Sequence, residues 1–151
     1  MKRLFICVAT GIITLLSTIA NAAGNDGDRI LGEYKAVKDG AVSKVRISKT
    51  GENTYRAQVF WLDKETHADG TLRKDSNNPD PTKRNTPSNQ IVLIERICYN
   101  SKEKVWKDGS IYDPIKGDLY RVVLDFEGEN LLRVRGYLGP FSKSLYWEKI
   151  N

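Results

Sequence analysis

Apolar and polar residues alternate along most of the chain beyond residue 30, and the period of the alternation is two. In residues 118–126, Val122 and Leu124 share one face, whereas Arg121 and Asp125 share the other. A period of two is typical of a β-strand with one buried side. Similar segments, rich in β-branched and aromatic residues, predict eight strands, over residues 30–36, 41–48, 53–63, 89–99, 109–113, 118–126, 130–137 and 144–149.

The spacing of these strands indicates the fold class. Eight short strands joined by tight turns predict an all-β domain, either a single antiparallel barrel or a sandwich. The turn at residues 113–117 supports this, because Asp113 can cap a turn, Pro114 fixes φ and Gly117 accepts a positive φ. The one candidate helix, residues 100–107, is short and weakly patterned.

The first 22 residues have the order of a secretory signal peptide. Lys2 and Arg3 precede an apolar run, and an A-x-A motif follows at residues 20–22. The run is shorter than the roughly 20 apolar residues that a membrane span needs. We therefore predict cleavage before Ala23, a periplasmic or secreted location without a stable membrane span, and one barrel domain over residues 23–151.

Removal of this segment changes the charge and the cysteine count. Lys2 and Arg3 leave with it, so the formal charge falls from +5 to +3, and the remaining cations are spread along the chain. Nucleic-acid-binding proteins concentrate their cations in a stripe, which argues against a nucleic-acid partner. Cys98 is left as a single cysteine. Its place on the alternating face of Val92 and Ile94 predicts a buried, inert thiol and a monomer, although an odd cysteine can also form an intermolecular bond.

Three ordered motifs make the chain resemble a known family. They are KDxNNPDPxxRxxP at residues 74–87, WxxGxIYDPxxGxxY at 106–120 and LRVRGYLGxFxxSxxW at 132–147. Together they are similar to a bacterial family of secreted proteins known as domain of unknown function 2147. The resemblance implies a lipocalin-like, calycin-type barrel and a periplasmic or secreted location, and it implies no assigned activity. The family tends to open with Gly-x-Trp, where this chain has Tyr34 in place of the Trp.

The connection at residues 63–87 is too long for an ordinary hairpin loop, and loops of this length are usually functional or disordered. Its prolines restrict the backbone, and its Asp and Asn side chains can form Asx-turns. Arg84 can form paired hydrogen bonds with Asp75 or Asp80. The segment is therefore a self-ordered loop over one barrel end, a ligand or partner surface, or a calcium site, although its spacing does not fit the EF-hand pattern. The candidate partner residues are Asp75, Asn78, Asp80 and Arg84.

Few residues point to catalysis or to a metal. His67 is the only histidine, and a dyad with Cys98 requires an exposed thiol. Asp113 and Asp118 have the residue types of a glycosidase carboxylate pair, but their place beside a turn explains them without catalysis. No cluster has the spacing of zinc ligands. We predict no metal and no cofactor, and we rank an enzyme below a binding protein.

Aromatic and cationic residues supply the candidates for a ligand site. In the third strand, Trp61 shares the face of Tyr55 and Val59. Arg135 belongs to an outer row if the aliphatic face of its strand points inward. In the calycin barrels that the chain resembles, a late-strand Arg often crosses the early aromatic ring, here Tyr34, in a contact worth about 0.5–2 kcal/mol. The candidate ligand-binding residues are Tyr34, Trp61, Tyr112, Arg135 and Trp147.

Two functions of different classes remain open. The first is a binding module that holds a small apolar or amphiphilic molecule inside the barrel or across its mouth. The second is a protein of the cell envelope whose barrel is filled with side chains and whose 63–87 loop contacts another macromolecule. The volume left inside the barrel discriminates between them.

Overall fold

The computed structural model describes residues 24–151 and shows a closed barrel of eight antiparallel strands, which confirms the barrel that the resemblance implies. Each strand pairs with the next along the chain, and β8 returns to pair with β1. The predicted signal peptide, residues 1–22, lies outside the described residues. The strands are β1 (Gly32–Lys38), β2 (Ala41–Gly51), β3 (Thr54–Leu62), β4 (Val92–Asn100), β5 (Val105–Asp113), β6 (Asp118–Phe126), β7 (Leu131–Leu138) and β8 (Phe141–Lys149).

The predicted helix at residues 100–107 is wrong. Residues 101–104 form a turn, and β5 already begins at Val105. The reason is tertiary packing, because Trp106 pairs with Tyr99 across β4 and β5 and buries its ring in the barrel. Burial of one large aromatic ring outweighs a weak local helix preference.

A short 3-10 helix, Asp26–Ile30, covers one end of the barrel, which we call the closed end. Three inward-facing rings are hydrogen-bonded to it. The Tyr34 hydroxyl donates to the carbonyl of Ile30 at 2.7 Å, and the Trp106 indole donates to the carbonyl of Gly27 at 3.1 Å. The Tyr55 hydroxyl donates to a carboxylate oxygen of Asp28 at 2.8 Å. These bonds satisfy the polar ends of buried aromatic rings, so that the rings can fill the core.

The opposite end of the barrel carries the β1–β2, β5–β6 and β7–β8 turns and the long β3–β4 connection, residues 63–91. We call it the open end. Two further 3-10 helices, Pro81–Lys83 and Ser88–Gln90, lie within that connection. None of the helices in residues 24–151 has the length and apolar character needed to cross a membrane.

Irregular pairing in β3 and β4 reverses two of the predicted faces. Trp61 pairs with Lys44 on the outer side, because a register shift separates it from Val59. Two more shifts between β3 and β4 place Ile97 in the core, so that Cys98 points outward and is half-buried. The predictions that Trp61 shares the face of Val59, and that the cysteine is buried, are therefore wrong. A bulge adds one residue to one strand and so reverses the alternation beyond it.

Candidate functional site

An ion pair crosses the lumen at the open end. The Lys38 ammonium lies 2.9 Å from a carboxylate oxygen of Asp113. Lys38 ends β1 and Asp113 ends β5, and these strands lie on opposite sides of an eight-stranded barrel. Two such side chains can meet only through the interior. We call this end of the lumen, which the pair crosses, the mouth.

Asp113 uses its two carboxylate oxygens for different contacts. One accepts the bond from Lys38, and the other accepts the backbone N–H of Ile115 at 3.0 Å, which is the turn cap that the sequence predicts. Burial acts to raise the pKa of Asp113, but the hydrogen bonds from Lys38 and from the turn amides lower it on balance. The carboxylate is therefore held ionised across the mouth.

Half-buried side chains line the lumen around this pair. Ile111 lies on the same face of β5 as Asp113 and pairs with Tyr120 of β6. Leu62 and Leu145 face the lumen from the two sides of β1. Gly136 faces it from β7, where an added Cβ would lie 3.7 Å from the Cβ of Tyr120. The mouth is thus a set of apolar side chains around a charged pair, and a Cβ on Gly136 would be in ordinary van der Waals contact with Tyr120 and Ile111.

Below the mouth the lumen is packed with side chains. Tyr34, Val45, Val122, Leu124 and Leu132 are all fully shielded from solvent. Close-packed protein cores leave few voids larger than a water molecule. A ligand can lie across the mouth of this barrel, and the deep lumen is already filled.

The five ligand-binding residues predicted from the sequence do not form one site. Tyr34 and Trp147 lie in the core with ring centroids 6.4 Å apart. Trp61 lies on the outer wall, where the Lys44 ammonium is 4.9 Å from its ring. Tyr112 and Arg135 also point outward, on β5 and β7.

Of the two alternatives for Arg135, the structure shows the outer row, so its guanidinium makes no contact with the Tyr34 ring. Its guanidinium lies 3.4 Å from the hydroxyl of Ser144, its partner on the outer face of β8. The cation nearest the Tyr34 ring is the Lys149 ammonium, 5.9 Å from its centroid. Arg133 shares the outer row and pairs with Asp125.

The β3–β4 connection is held to the outer wall by a buried carboxylate. Asp75 is only 3% exposed, and it accepts hydrogen bonds from the Tyr112 hydroxyl and the Asn78 amide, both at 2.7 Å. The backbone N–H of Asp75 donates to the carbonyl of Thr86 at 2.9 Å and closes the loop on itself. Burial, and then the bond to Asp75, raise the pKa of Tyr112.

The other candidate partner residues are also engaged within the loop. Asp80 accepts the backbone N–H of Thr82 at 2.9 Å and so caps the short helix that follows. Arg84 donates to the backbone carbonyl of Asn78 at 2.8 Å. The predicted fork from Arg84 onto Asp75 or Asp80 is therefore wrong. Asp75 accepts a hydrogen bond from Tyr112 instead, and one carboxylate oxygen of Asp80 accepts the backbone N–H of Thr82.

The connection reaches the barrel at the β5–β6 turn. The Asn77 amide donates to the carbonyl of Ile115 at 2.8 Å. Gly117 has a φ of +73°, and a Cβ on it would lie 2.1 Å from the carbonyl oxygen of Asn77. The connection is held by its own hydrogen bonds, which agrees with the hypothesis of a self-ordered loop. Its anchors lie on the outer wall and on one turn, not across the mouth.

Two clefts lie elsewhere on the surface, and none of the five predicted ligand residues lines either of them. One, of about 310 Å³, lies between Arg46, Phe60 and Gln90. The other, of about 680 Å³, lies at the closed end beside Arg29 and Phe126. Within residues 24–151, no group of three or more His, Cys, Asp or Glu side chains is placed to hold a metal ion.

The residues considered for catalysis are either far apart in the fold or already bound to other residues. His67 lies in the exposed β3–β4 connection at the open end, whereas Cys98 lies on β4 toward the closed end. Asp118 is the cross-strand partner of Asp113, and Asp113 is bound to Lys38. The sequence did not reveal the role of Lys38 or of Gly136 in the mouth. The only signal was the lumen-facing parity of Gly136 on the predicted strand 130–137, because Lys38 lies beyond the predicted strand 30–36.

Comparison with known proteins identifies both a family and a fold. The model of a family described as "Uncharacterized protein conserved in bacteria (DUF2147)" matches residues 32–149. A solved structure, protein HP1028 from the human pathogen Helicobacter pylori, is described as belonging to the lipocalin family. It superimposes with a TM-score of 0.64 at 20% sequence identity, over 80% of this chain and 82% of that one. No curated protein matches the sequence.

Proposed function

Because this chain belongs to the uncharacterised bacterial family DUF2147, we propose its function from the geometry of its barrel. The protein is an exported binding module that holds a small apolar or amphiphilic molecule across the mouth. Export rests on the signal-peptide pattern of residues 1–22. Binding rests on the mouth itself.

The observation that carries the proposal is the Lys38–Asp113 pair with its half-buried apolar surroundings. An apolar chain lying on Leu62, Ile111 and Leu145 would remove them further from water, at about 25 cal/mol for each Å² buried. A ring of apolar side chains with a few convergent polar groups is the usual composition of a small-molecule site. The lipocalin-like fold agrees with this use, since such barrels commonly hold one small ligand.

The polar groups at the rim would orient the head of an amphiphile. Lys143 faces the lumen beside Gly136 and is exposed, and Tyr120 lies on the neighbouring strand. The Tyr120 hydroxyl is 3.4 Å from a carboxylate oxygen of Asp118, so it also remains available to another acceptor. An anionic head would lie near Lys143, and its chain would extend toward Leu145.

Titration with dansyl-labelled undecanoic acid tests the proposal. The wild-type protein should bind one probe per chain, with a blue shift of the dansyl emission. Gly136→Leu adds a bulky side chain at the mouth beside Tyr120 and Ile111 and should weaken binding about tenfold or more, a change of about 1.4 kcal/mol or larger. Ser144→Leu adds the same side chain on the outer face and is the matched control.

A second variant keeps the test decisive if Gly136→Leu unfolds. Lys143→Glu alters an exposed side chain and should weaken binding of the anionic probe, whereas Lys35→Glu on the outer face of β1 should not. The proposal fails if the wild-type protein shows no saturable binding. It also fails if the mouth variants and the outer-face controls change the affinity equally.

The second candidate function, contact with an envelope protein through the β3–β4 connection, has one observation in its favour. The deep lumen is filled, which agrees with a barrel that serves as a scaffold. Leu72 is 53% exposed in this connection and would be the contact, because the four polar candidates are engaged internally. Failure of probe binding in the wild type would favour this function.

A further inference from the structure

The most exposed apolar side chains of the described residues lie at one end of the barrel. Soluble monomers rarely expose contiguous apolar surface without a use for it. The closed end contrasts with this, since Leu131 and Ile150 there are 37% and 45% exposed. The large apolar side chains that are at least half exposed all belong to the open end: Val37, Leu72, Ile115, Leu119, Leu138 and Phe141.

The β7–β8 hairpin presents the strongest part of this surface. Leu138 and Phe141 are cross-strand partners at its tip and are 65% and 76% exposed. Gly139 and Pro140 lie between them, so the tip, Leu138–Phe141, contains no charged residue. Ile115, 64% exposed, extends the apolar surface onto the neighbouring β5–β6 turn.

Cations surround the hairpin tip. Lys116, Arg121 and Lys143 are exposed, and Arg135 is half-exposed on the outer face below the tip. None of the four forms an ion pair within residues 24–151. The Arg121 guanidinium lies flat over the Tyr137 ring, 4.1 Å from its centroid, with its charge still open to solvent.

We infer that the open end docks onto the surface of an anionic lipid bilayer, with the hairpin tip inserted among the lipids. Apolar side chains flanked by Lys and Arg are the pattern of proteins that bind at the membrane interface. Basic residues near an anionic surface are attracted to it within about a Debye length. Two exposed carboxylates, Asp39 and Asp118, lie at the adjoining turns and reduce this attraction without cancelling it.

A second copy of the chain is a poorer occupant of the same surface. Two open ends brought together would place four unpaired cations of one copy against four of the other. Protein interfaces also deplete charged residues from their centres. Phosphate-bearing head groups remove both objections, because they supply anions to the cations and hydrocarbon to Leu138 and Phe141. The inference does not depend on ligand binding in the mouth.

Vesicle co-sedimentation tests the inference. The protein is expressed as the full chain and purified from the periplasmic fraction. Vesicles contain either equal parts of phosphatidylglycerol and phosphatidylcholine, or phosphatidylcholine alone. Wild-type protein should bind the anionic vesicles and lose most of this binding when salt rises from about 0.1 M to about 1 M. Leu138→Ser/Phe141→Ser should lower the partition coefficient about tenfold or more.

The matched control is Leu131→Ser/Ile150→Ser, which removes two apolar side chains at the closed end and should bind as the wild type does. Lys116→Glu/Arg121→Glu should lose the preference for anionic vesicles, at about fivefold for each charge. Gly136→Leu should keep vesicle binding while losing the dansyl probe, which separates this inference from the proposed ligand site.

Three results would overturn the inference. The first is no binding of wild-type protein to anionic vesicles, and the second is an equal loss in the open-end and closed-end variants. The third is a dimer in sedimentation that Leu138→Ser/Phe141→Ser dissociates, because this surface would then bind a second copy.

Discussion

The Asp113 carboxylate joins a turn cap to a cation on the opposite wall of the barrel. Lys38→Met removes the cation and leaves burial, which acts to raise the pKa of this carboxyl group. Because the folded-state pKa lies below the ordinary value of 3.8, the wild-type contact stabilises the fold above that pH. Its contribution is lost as the pH falls through the folded-state value.

We therefore expect Lys38→Met to raise the pKa of Asp113 and to move acid unfolding to higher pH. Carboxyl NMR titration and circular dichroism measure the two effects. Lys49→Met is the control, since Lys49 pairs with Asp28 at the closed end and has nearly the same side-chain exposure, 35% against 34% for Lys38. An unchanged Asp113 titration in Lys38→Met would show that the cross-lumen pair does not hold in solution.

The Tyr112 hydroxyl is the barrel group that donates a hydrogen bond to the buried Asp75 carboxylate. Tyr112→Phe keeps the ring and leaves Asp75 with the Asn78 amide. The free energy of unfolding should fall by about 1–3 kcal/mol, the cost of removing a hydrogen bond from a buried charged group. Urea unfolding measures it. Tyr120→Phe, whose hydroxyl makes a long and exposed bond to Asp118, should change stability by less than half as much.

At the scale of the elements, alternation was enough to predict the eight strands, and the family resemblance selected a barrel over a sandwich. It could not place Trp61 or Cys98, because the register shifts in β3 and β4 reverse the faces beyond them. Bulges have no signature in one sequence when the extra residue is an ordinary apolar or polar one. The helix at residues 100–107 fails for a different reason, namely that Trp106 is buried by residues distant in sequence.

The β3–β4 connection depends on the close approach of Asn77 to Gly117. Gly117→Ala should cost about 1–3 kcal/mol for the positive φ, and its Cβ should also displace the loop from the turn. Limited proteolysis should then show new cleavage between residues 72 and 87. Gly128→Ala is the control, because Gly128 has a similar φ of +82° with no atom near the added Cβ. Equal cleavage in the two variants would mean that the approach does not hold the loop.

At the scale of the whole molecule, three shielded tyrosines link stability to alkaline pH. Burial raises the pKa values of Tyr34, Tyr55 and Tyr112 above the ordinary value of 10.0, and for Tyr55 and Tyr112 a carboxylate partner adds to the effect. Their neutral forms stabilise the fold fully below pH 10, and this stability is lost as the pH rises further.

We therefore expect these three tyrosines to ionise only when the barrel unfolds. Tyrosinate absorbance should rise in two steps, and the second step should coincide with the loss of the β-sheet circular dichroism signal. Tyr34→Phe, which removes one of the three shielded hydroxyls, should reduce the second step. A single reversible step before unfolding would contradict the burial of these rings.

The mouth itself could not be predicted from the sequence. Lys38 and Asp113 are 75 residues apart, and nothing in either local segment indicates the other. Their contact exists because the barrel closes and places β1 opposite β5. The cations around the hairpin tip are likewise far apart along the sequence, and the fold brings them together into one patch. The distribution of charges along the sequence therefore revealed neither the Lys38–Asp113 pair nor the cationic patch.

Both ends of the described chain meet at the closed end. The backbone N–H of Glu33 donates to the carbonyl of Asn151 at 2.9 Å, and that of Ile150 donates to the carbonyl of Glu33 at 2.8 Å. An affinity tag or a fused reporter at the C-terminus is thus attached at the pole opposite the mouth and the hairpin tip. On a sensor surface, a C-terminal tether would present every molecule with its mouth toward the solution.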